Sequence, residues 1–305
     1  MIKNKLKTIL IYTGTTVILL AAGWYAFFGL KAYDVTSEDI RTRYSYSLAQ
    51  PVQLQLTSDD VTGYQFSYQS FDGAVVNGYI RYPQPLTAIS QPVPVLIGAH
   101  AMGRAQVRWW QGSFNDRPTL ENTDKVTAMA LAKGYAVVTI DARNHGERKD
   151  PELSIISIIN NLHWWGEREP YENMLIDTVR DHRVLLDWLE QQPQFDRANI
   201  HIAGYSMGAH ISLLLAAVDP RIHRVLAIVP PHINNRTAIV APKNMLAGLA
   251  DNPVWLLSAN DDEYASKKQN KSLFSALPNS NKQHVEFASG HLLPATYPQT
   301  LESWF

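Results

Sequence analysis

The chain reads as an α/β protein in which a mostly parallel central sheet is flanked by helices, begun by antiparallel strands and preceded by one transmembrane helix. Three observations predict this. Short continuous apolar runs recur between helical stretches over most of the chain, as strands covered on both faces require. The segments just before them alternate with period two, as half-buried antiparallel strands do. Ahead of everything lies a long stretch without a single charge.

That stretch, Thr8 to Leu30, is 23 residues of TILIYTGTTVILLAAGWYAFFGL. As a helix at about 1.5 Å per residue it would be about 35 Å long, enough for a hydrocarbon layer of about 30 Å. Lys3, Lys5 and Lys7 precede it, whereas Lys31, Asp34, Glu38 and Asp39 follow. The positive-inside bias then keeps the N-terminus cytoplasmic and sends the rest of this single-pass chain to the periplasmic or other extracytoplasmic side. A cleaved signal peptide is the alternative, but its apolar core usually runs only about 7–15 residues, and Leu20-Ala21-Ala22 is a poor cleavage site. Residues 1–30 are therefore expected to be an uncleaved signal-anchor, 31–50 a polar linker, and 51–305 one domain.

Within that domain, Val52–Leu56, Tyr64–Tyr68 and Val75–Tyr82 carry the period-two pattern. Covered strands are expected at Val93–Ile97, Ala136–Ile140, Ile200–Ala203, Val225–Val229 and Val254–Leu257, with a weaker one at Val285–Phe287. The clearest helix places Leu175, Val179, His182, Leu186 and Leu189 on one face. Apolar residues make up 46% and charged residues 18%, ample for a core and unlike a disordered chain. With 27 Lys+Arg against 28 Asp+Glu there is no basic field for a phosphate backbone, so nucleic acid is not an expected partner. The absence of cysteine excludes a thiol nucleophile, disulfides, Cys-based zinc sites and iron–sulfur clusters.

Chemistry concentrates at Gly204-Tyr205-Ser206-Met207-Gly208, a G-x-S-x-G sequence. Alone it is weak, but strand-like Asn199–Ala203 precedes it and helix-like Ala209–Ala217 follows. A strand-to-helix reversal forces the serine into a strained backbone and lifts its hydroxyl to the N-terminus of a helix, whose dipole favours negative charge. A serine capping a buried helix is the plainer alternative.

In these residues the chain resembles the α/β-hydrolase superfamily over roughly residues 64–305, nearest its esterase and prolyl-oligopeptidase-like catalytic domains. The resemblance implies that fold and a chain order of serine, acid, histidine. The acid then falls in Val254–Glu263, where Ala259 takes the place of the family's glycine and Asp262 that of the acid, with Asp261 and Glu263 as neighbouring candidates. The base is expected at His291, after Gly290 in the loop behind the last strand. With neutral imidazole as base, activity should rise through the ordinary histidine range of about pH 6.5–7. The resemblance also implies an oxyanion hole from the Met207 amide and a second amide in Gly98–Gly103, with Met102 the expected donor. Ala101 stands there in place of glycine and is a further candidate. His100 is expected to support that loop and to border the substrate, and Asp141 and Arg143 to shape the next one.

Specificity is expected in 149–171, a short cap-like insertion in which Ile155, Ile159 and Leu162 share a helical face and Trp164 and Trp165 follow. Tyr205, Trp109, Trp164 and Trp165, with His100, form the expected substrate-binding set. That surface could equally be ordinary packing or dip into the bilayer beside the anchor. No cofactor is expected, and His145 with His163 lacks the spacing of a metal site. The reading is thus a membrane-tethered serine hydrolase acting on small-molecule or lipid-like carboxylic esters. Amide or peptide hydrolysis and acyl transfer keep the same machinery, and a non-catalytic scaffold is the rival of a different class.

Overall fold

In the computed structural model, which describes residues 2–305 with side chains from Ile11 onward, the apolar runs become parallel strands. They are β4 (Val93–Ala99), β7 (Ala136–Ile140), β8 (Phe195–Tyr205), β9 (Arg224–Ile228), β10 (Val254–Ala259) and β11 (Lys282–Phe287). The antiparallel strands β1 (Gln55–Ser58), β2 (Gly63–Gln69) and β3 (Val75–Arg81) extend the same sheet, in the order β1-β2-β3-β7-β4-β8-β9-β10-β11. A short hairpin, β5 (Ser113–Phe114) with β6 (Arg117–Pro118), stands apart. The central strands β7 and β4 expose almost nothing on either face, which is why their sequences read as unbroken apolar runs.

Helices cover both faces. Helix α5 (Glu169–Leu189) buries Leu175, Val179, His182, Leu186 and Leu189, the predicted stripe, against one face beside α6 (Met207–Val218). On the other face lie α3 (Thr123–Ala132) and the C-terminal residues Tyr297, Leu301 and Trp304. Helix α7 (Lys267–Ala276) lies between β10 and β11, and its flank at Leu273, Phe274 and Leu277 rests on the α5–α6 side.

Two expectations shift. The first strand begins at Gln55 because Val52 is drawn into the core, and β1 is an edge strand exposed on both faces. The segment 31–50 is folded onto the domain. It forms α2 (Ser37–Tyr44), capped by a Thr36–Asp39 capping box. The Tyr33 hydroxyl donates to Glu172 at 2.6 Å, the Tyr46 hydroxyl to Asp187 at 2.7 Å, and buried Tyr44 to the Ile239 carbonyl at 3.1 Å. Upstream, α1 (Ile2–Phe28) contains Ile11–Phe28, long and apolar enough to cross a membrane and with none of that stretch buried. Such a helix also fits a signal sequence. The side chains of Lys3, Lys5 and Lys7, on which the orientation argument rests, lie outside the described residues.

Fully buried Asp181 of α5 gathers two cations. Arg143 donates to it at 2.7 and 2.8 Å and Arg148 at 2.7 Å, and Ser70 adds a hydroxyl. Asp181→Asn should destabilise the fold by about 3 kcal/mol, because it strips the balancing carboxylate from the buried Arg148 side chain and leaves Arg143 with the half-exposed Asp72 alone. A thermal melt checks this, and an unchanged Tm would show the network to be dispensable.

Five histidines are buried: His100, His145, His182, His201 and His210. Burial disfavours the imidazolium, pushing His100, His182 and His210 from 6.5 down to about 4, and His145 and His201 to about 3. Because the folded pKa values lie below the unfolded ones, the unfolded chain binds more protons beneath pH 6.5. Stability is therefore complete above pH 6.5 and is lost as pH falls toward 4, by up to about 1.4 kcal/mol per ring for each pH unit. A Tm followed from pH 7.5 to 5 should hold down to about 6.5 and then fall; a profile flat throughout would count against neutral buried rings.

Candidate active site

The carboxyl ends of β4, β7, β8, β9, β10 and β11 share one edge of the sheet, and the loops leaving that edge carry the reactive side chains. Ser206 is the single residue between β8 and α6, at φ 55° and ψ −115°. That conformation strains any residue with a Cβ, and it is held by the Ser206 amide, which donates to the Ile228 carbonyl at 2.8 Å. Two glycines make the reversal possible. A Cβ at Gly204 would lie 2.1 Å from the Gly208 backbone, and one at Gly208 would lie 2.0 Å from the Ala99 carbonyl oxygen. No side chain fits at either position.

His291, in the loop after β11, has its Nε2 2.8 Å from the Ser206 Oγ, close enough for the hydroxyl to donate. Its Nδ1 is 3.0 Å from both carboxylate oxygens of Asp262. Asp262 follows β10, and its carboxylate is fully buried and accepts the Tyr264 amide at 2.8 Å. Asp261 and Glu263 point to solvent, and Glu263 reaches only the His291 backbone amide, at 3.4 Å. Of the three neighbouring acids, Asp262 alone faces the imidazole. The arrangement has an acceptor for the serine proton and a carboxylate that fixes which ring nitrogen carries hydrogen.

The sequence profile of the alpha/beta hydrolase family matches residues 109–304 of this chain, more than half of it and including all three of these side chains. The chain belongs to the alpha/beta hydrolase family.

Solved structures show how widely this hydrolase shares its fold. An acetyl xylan esterase from a Thermoanaerobacterium species is similar at 16% identity and a TM-score of 0.67, covering 90% of this chain and 98% of its own. A glucuronoyl esterase from Solibacter usitatus is similar at 14% identity and a TM-score of 0.58, covering 87% and 90%. A cold-adapted esterase from an Arctic intertidal metagenomic library is similar at 18% identity and a TM-score of 0.57, covering 82% and 97%. No curated protein matches the sequence.

Around the hydrolase site, the expected oxyanion donors lie on adjoining elements. Met207 opens α6, so its amide has no partner within the helix. The loop carrying Ala101 and Met102 follows Ala99, on whose carbonyl Gly208 rests. His100 braces that loop from below and has almost no exposed surface. Its Nδ1–H donates to the Ala101 carbonyl at 2.9 Å, and its Nε2 accepts the Ala142 amide at 3.0 Å, which sets a neutral tautomer. Asp141 accepts the Gln106 and Glu147 amides at 2.8 and 3.0 Å and so ties the two loops together.

The expected substrate-binding set is only partly at the site. His100 is buried beneath its loop with both ring nitrogens engaged. Trp109 is fully buried beneath β4, against Gly98, because a large apolar ring fills the space that glycine leaves. Tyr205 is also buried; its hydroxyl donates to the His291 carbonyl at 2.9 Å and accepts the Leu293 amide at 3.0 Å, pinning the histidine loop. Trp164 and Trp165 are exposed and pack on α1, with ring centroids 5.9 Å from Trp24 and 5.2 Å from Phe28. In the insertion, α4 (Ile155–Asn160) turns Ile158 inward together with Leu162, with Ile155 and Ile159 half-buried beside them.

One residue at the site escaped the sequence reading. Tyr264 sets its ring 4.6 Å from His291 and its carbonyl accepts the His232 amide at 3.0 Å. Its position two residues past Asp262 was the available signal. His145, considered as a ligand, is buried with its Nδ1 on the Arg143 carbonyl, while His163 is exposed. Among the described residues no cluster of three or more metal-ligating side chains occurs. A polar cleft of about 1320 Å³ beside Arg81, Gln106 and Trp110 has none of the triad side chains in its wall.

Proposed function

We propose that this alpha/beta hydrolase is a membrane-anchored serine esterase that cleaves carboxylic esters through an acyl-enzyme. The observation that carries the reading is the unbroken contact from Ser206 through His291 to Asp262, on a backbone strained at the nucleophile. Ser206 Oγ attacks the ester carbonyl as His291 Nε2 takes its proton. The Met207 and Met102 amides hold the oxyanion, and Asp262 stabilises the imidazolium. His291 returns the proton to the departing alcohol, then activates water to release the acid. That solved structures of the same fold are esterases supports this choice of bond. The run Ile11–Phe28 supports anchoring, and the lysines before it support a cytoplasmic N-terminus with the catalytic domain extracytoplasmic.

A fluorophosphonate probe and paired substrates test this. Labelling at Ser206 together with faster turnover of p-nitrophenyl esters than of aminoacyl p-nitroanilides is expected. Preference for the anilides would move the reading to an amidase, transfer to an added alcohol in preference to water to an acyltransferase, and a folded chain that never labels would leave a scaffold.

A further inference from the structure

The membrane helix and the catalytic loops meet at the same edge of the sheet. Helix α5 carries the chain back from β7 to β8, so its N-terminus lies at the carboxyl edge that also bears Ser206. There Arg168 donates to the Lys31 carbonyl at 3.0 Å and lies 4.7 Å over the Tyr33 ring. Tyr33 in turn joins the loop after β9: its amide donates to the Asn235 carbonyl at 2.9 Å, and its hydroxyl accepts the Ile239 amide at 3.0 Å. The same loop reaches Tyr264 through His232, and Tyr264 touches His291. Gly166 lies so close to α1 that a Cβ would come within 2.5 Å of the Phe28 carbonyl oxygen. The anchor is therefore fastened to the domain at several points, with no free tether to let it swing.

This fastening fixes which side faces the bilayer. Against the end of α1 lie Trp164 at 60% and Trp165 at 53% exposure, and α4, the helix that leads directly into them, presents Ile156 at 73% exposure. Phe27, at the end of α1 next to Phe28, is itself 86% exposed. Tyr264 and Leu292, at the rim of the triad, are 58% and 46% exposed. A patch of this kind, joined to a membrane-length helix, matches the aromatic layer that sits between headgroups and acyl chains.

We propose that the catalytic edge is held against the bilayer surface, with Ile156, Trp164 and Trp165 in the interfacial layer, and that the substrate is an ester resident in the membrane. This rests on the anchor and esterase readings above. The chain has no cysteine, so single labels can be placed at will. In the full chain reconstituted in phosphatidylcholine–phosphatidylglycerol nanodiscs, an environment-sensitive dye is attached at Ile156→Cys, at Val17→Cys within α1, and at Val61→Cys. Val61 is exposed in the β1–β2 turn at the opposite edge of the sheet. The dye at positions 156 and 17 should be blue-shifted and quenched by spin-labelled lipid, and that at 61 should report water. A dye at 156 in water with that at 17 in lipid overturns the proposal and leaves the anchor standing; both in water overturns the anchor reading and the proposal with it.

Activity gives the second arm. Ile156→Glu should slow hydrolysis of a long-chain ester dissolved in the nanodisc by about tenfold while a soluble acetate ester is cleaved as before. Equal effects on both esters, or none on either, count against membrane presentation. If the unsubstituted chain cleaves neither ester, the esterase reading fails, and the substrate half of the proposal falls with it.

Discussion

Ser206→Ala should abolish fluorophosphonate labelling and lower kcat for ester hydrolysis by about 10⁶-fold, the loss seen when a serine nucleophile acting with its base is removed. The fold should survive, because alanine at φ 55° carries the same Cβ strain that serine already bears, and the Ser206 amide bond to Ile228 is a backbone interaction. Ser206→Gly sharpens the test. Glycine relieves the strain, so this variant should be as inactive as alanine yet melt at a higher temperature than the parent. Loss of activity with a gain in Tm separates a residue kept for chemistry from one kept for packing. A Ser206→Gly chain that melts lower would show that the hydroxyl is structural, and an alanine variant that still labels would place the nucleophile elsewhere.

Strands covered on both faces were legible because burial there leaves no freedom: Val95, Leu96 and Ile97 expose nothing, and only apolar side chains fit. The stripe of α5 was legible for the same reason. The first strand was misplaced because Val52 and Leu54 imitate a strand's alternation while they are drawn to the core ahead of it, and the true edge strand has no buried face to mark it. The packing of 31–50 could not be read, since it depends on tyrosine hydroxyls meeting carboxylates more than a hundred residues away. Four tryptophans look alike in sequence, yet Trp109 is buried under Gly98, Trp110 packs at a tilt against Tyr79, and Trp164 and Trp165 lie on α1. Apolar character says that a ring wants cover, not which element supplies it. The elbow was the most legible part of the site because two glycines and a serine are demanded by local backbone contacts, with no long-range partner to guess.

The acid was the least legible part of the triad, since Asp261, Asp262 and Glu263 are three carboxylates in adjacent positions. Asp262→Asn should lower kcat on the order of 10⁴-fold and leave the fold intact. The amide is nearly the same size, and its carbonyl oxygen can still accept the Tyr264 amide. What changes is the proton inventory. The ionised carboxylate accepts from His291 Nδ1, which leaves Nε2 bare to receive the Ser206 hydroxyl. An asparagine NH₂ turned toward His291 would donate to Nδ1, move the ring hydrogen to Nε2 and set two donors against each other at the serine. Asp261→Asn and Glu263→Gln should stay close to the parent, because both carboxylates face solvent, where water screens their charge and neither reaches a ring nitrogen. Steady-state kinetics on one ester with all three variants decides the matter. If Glu263→Gln costs as much as Asp262→Asn, the acid acts through the backbone of the histidine loop rather than through the ring, and the tautomer argument falls.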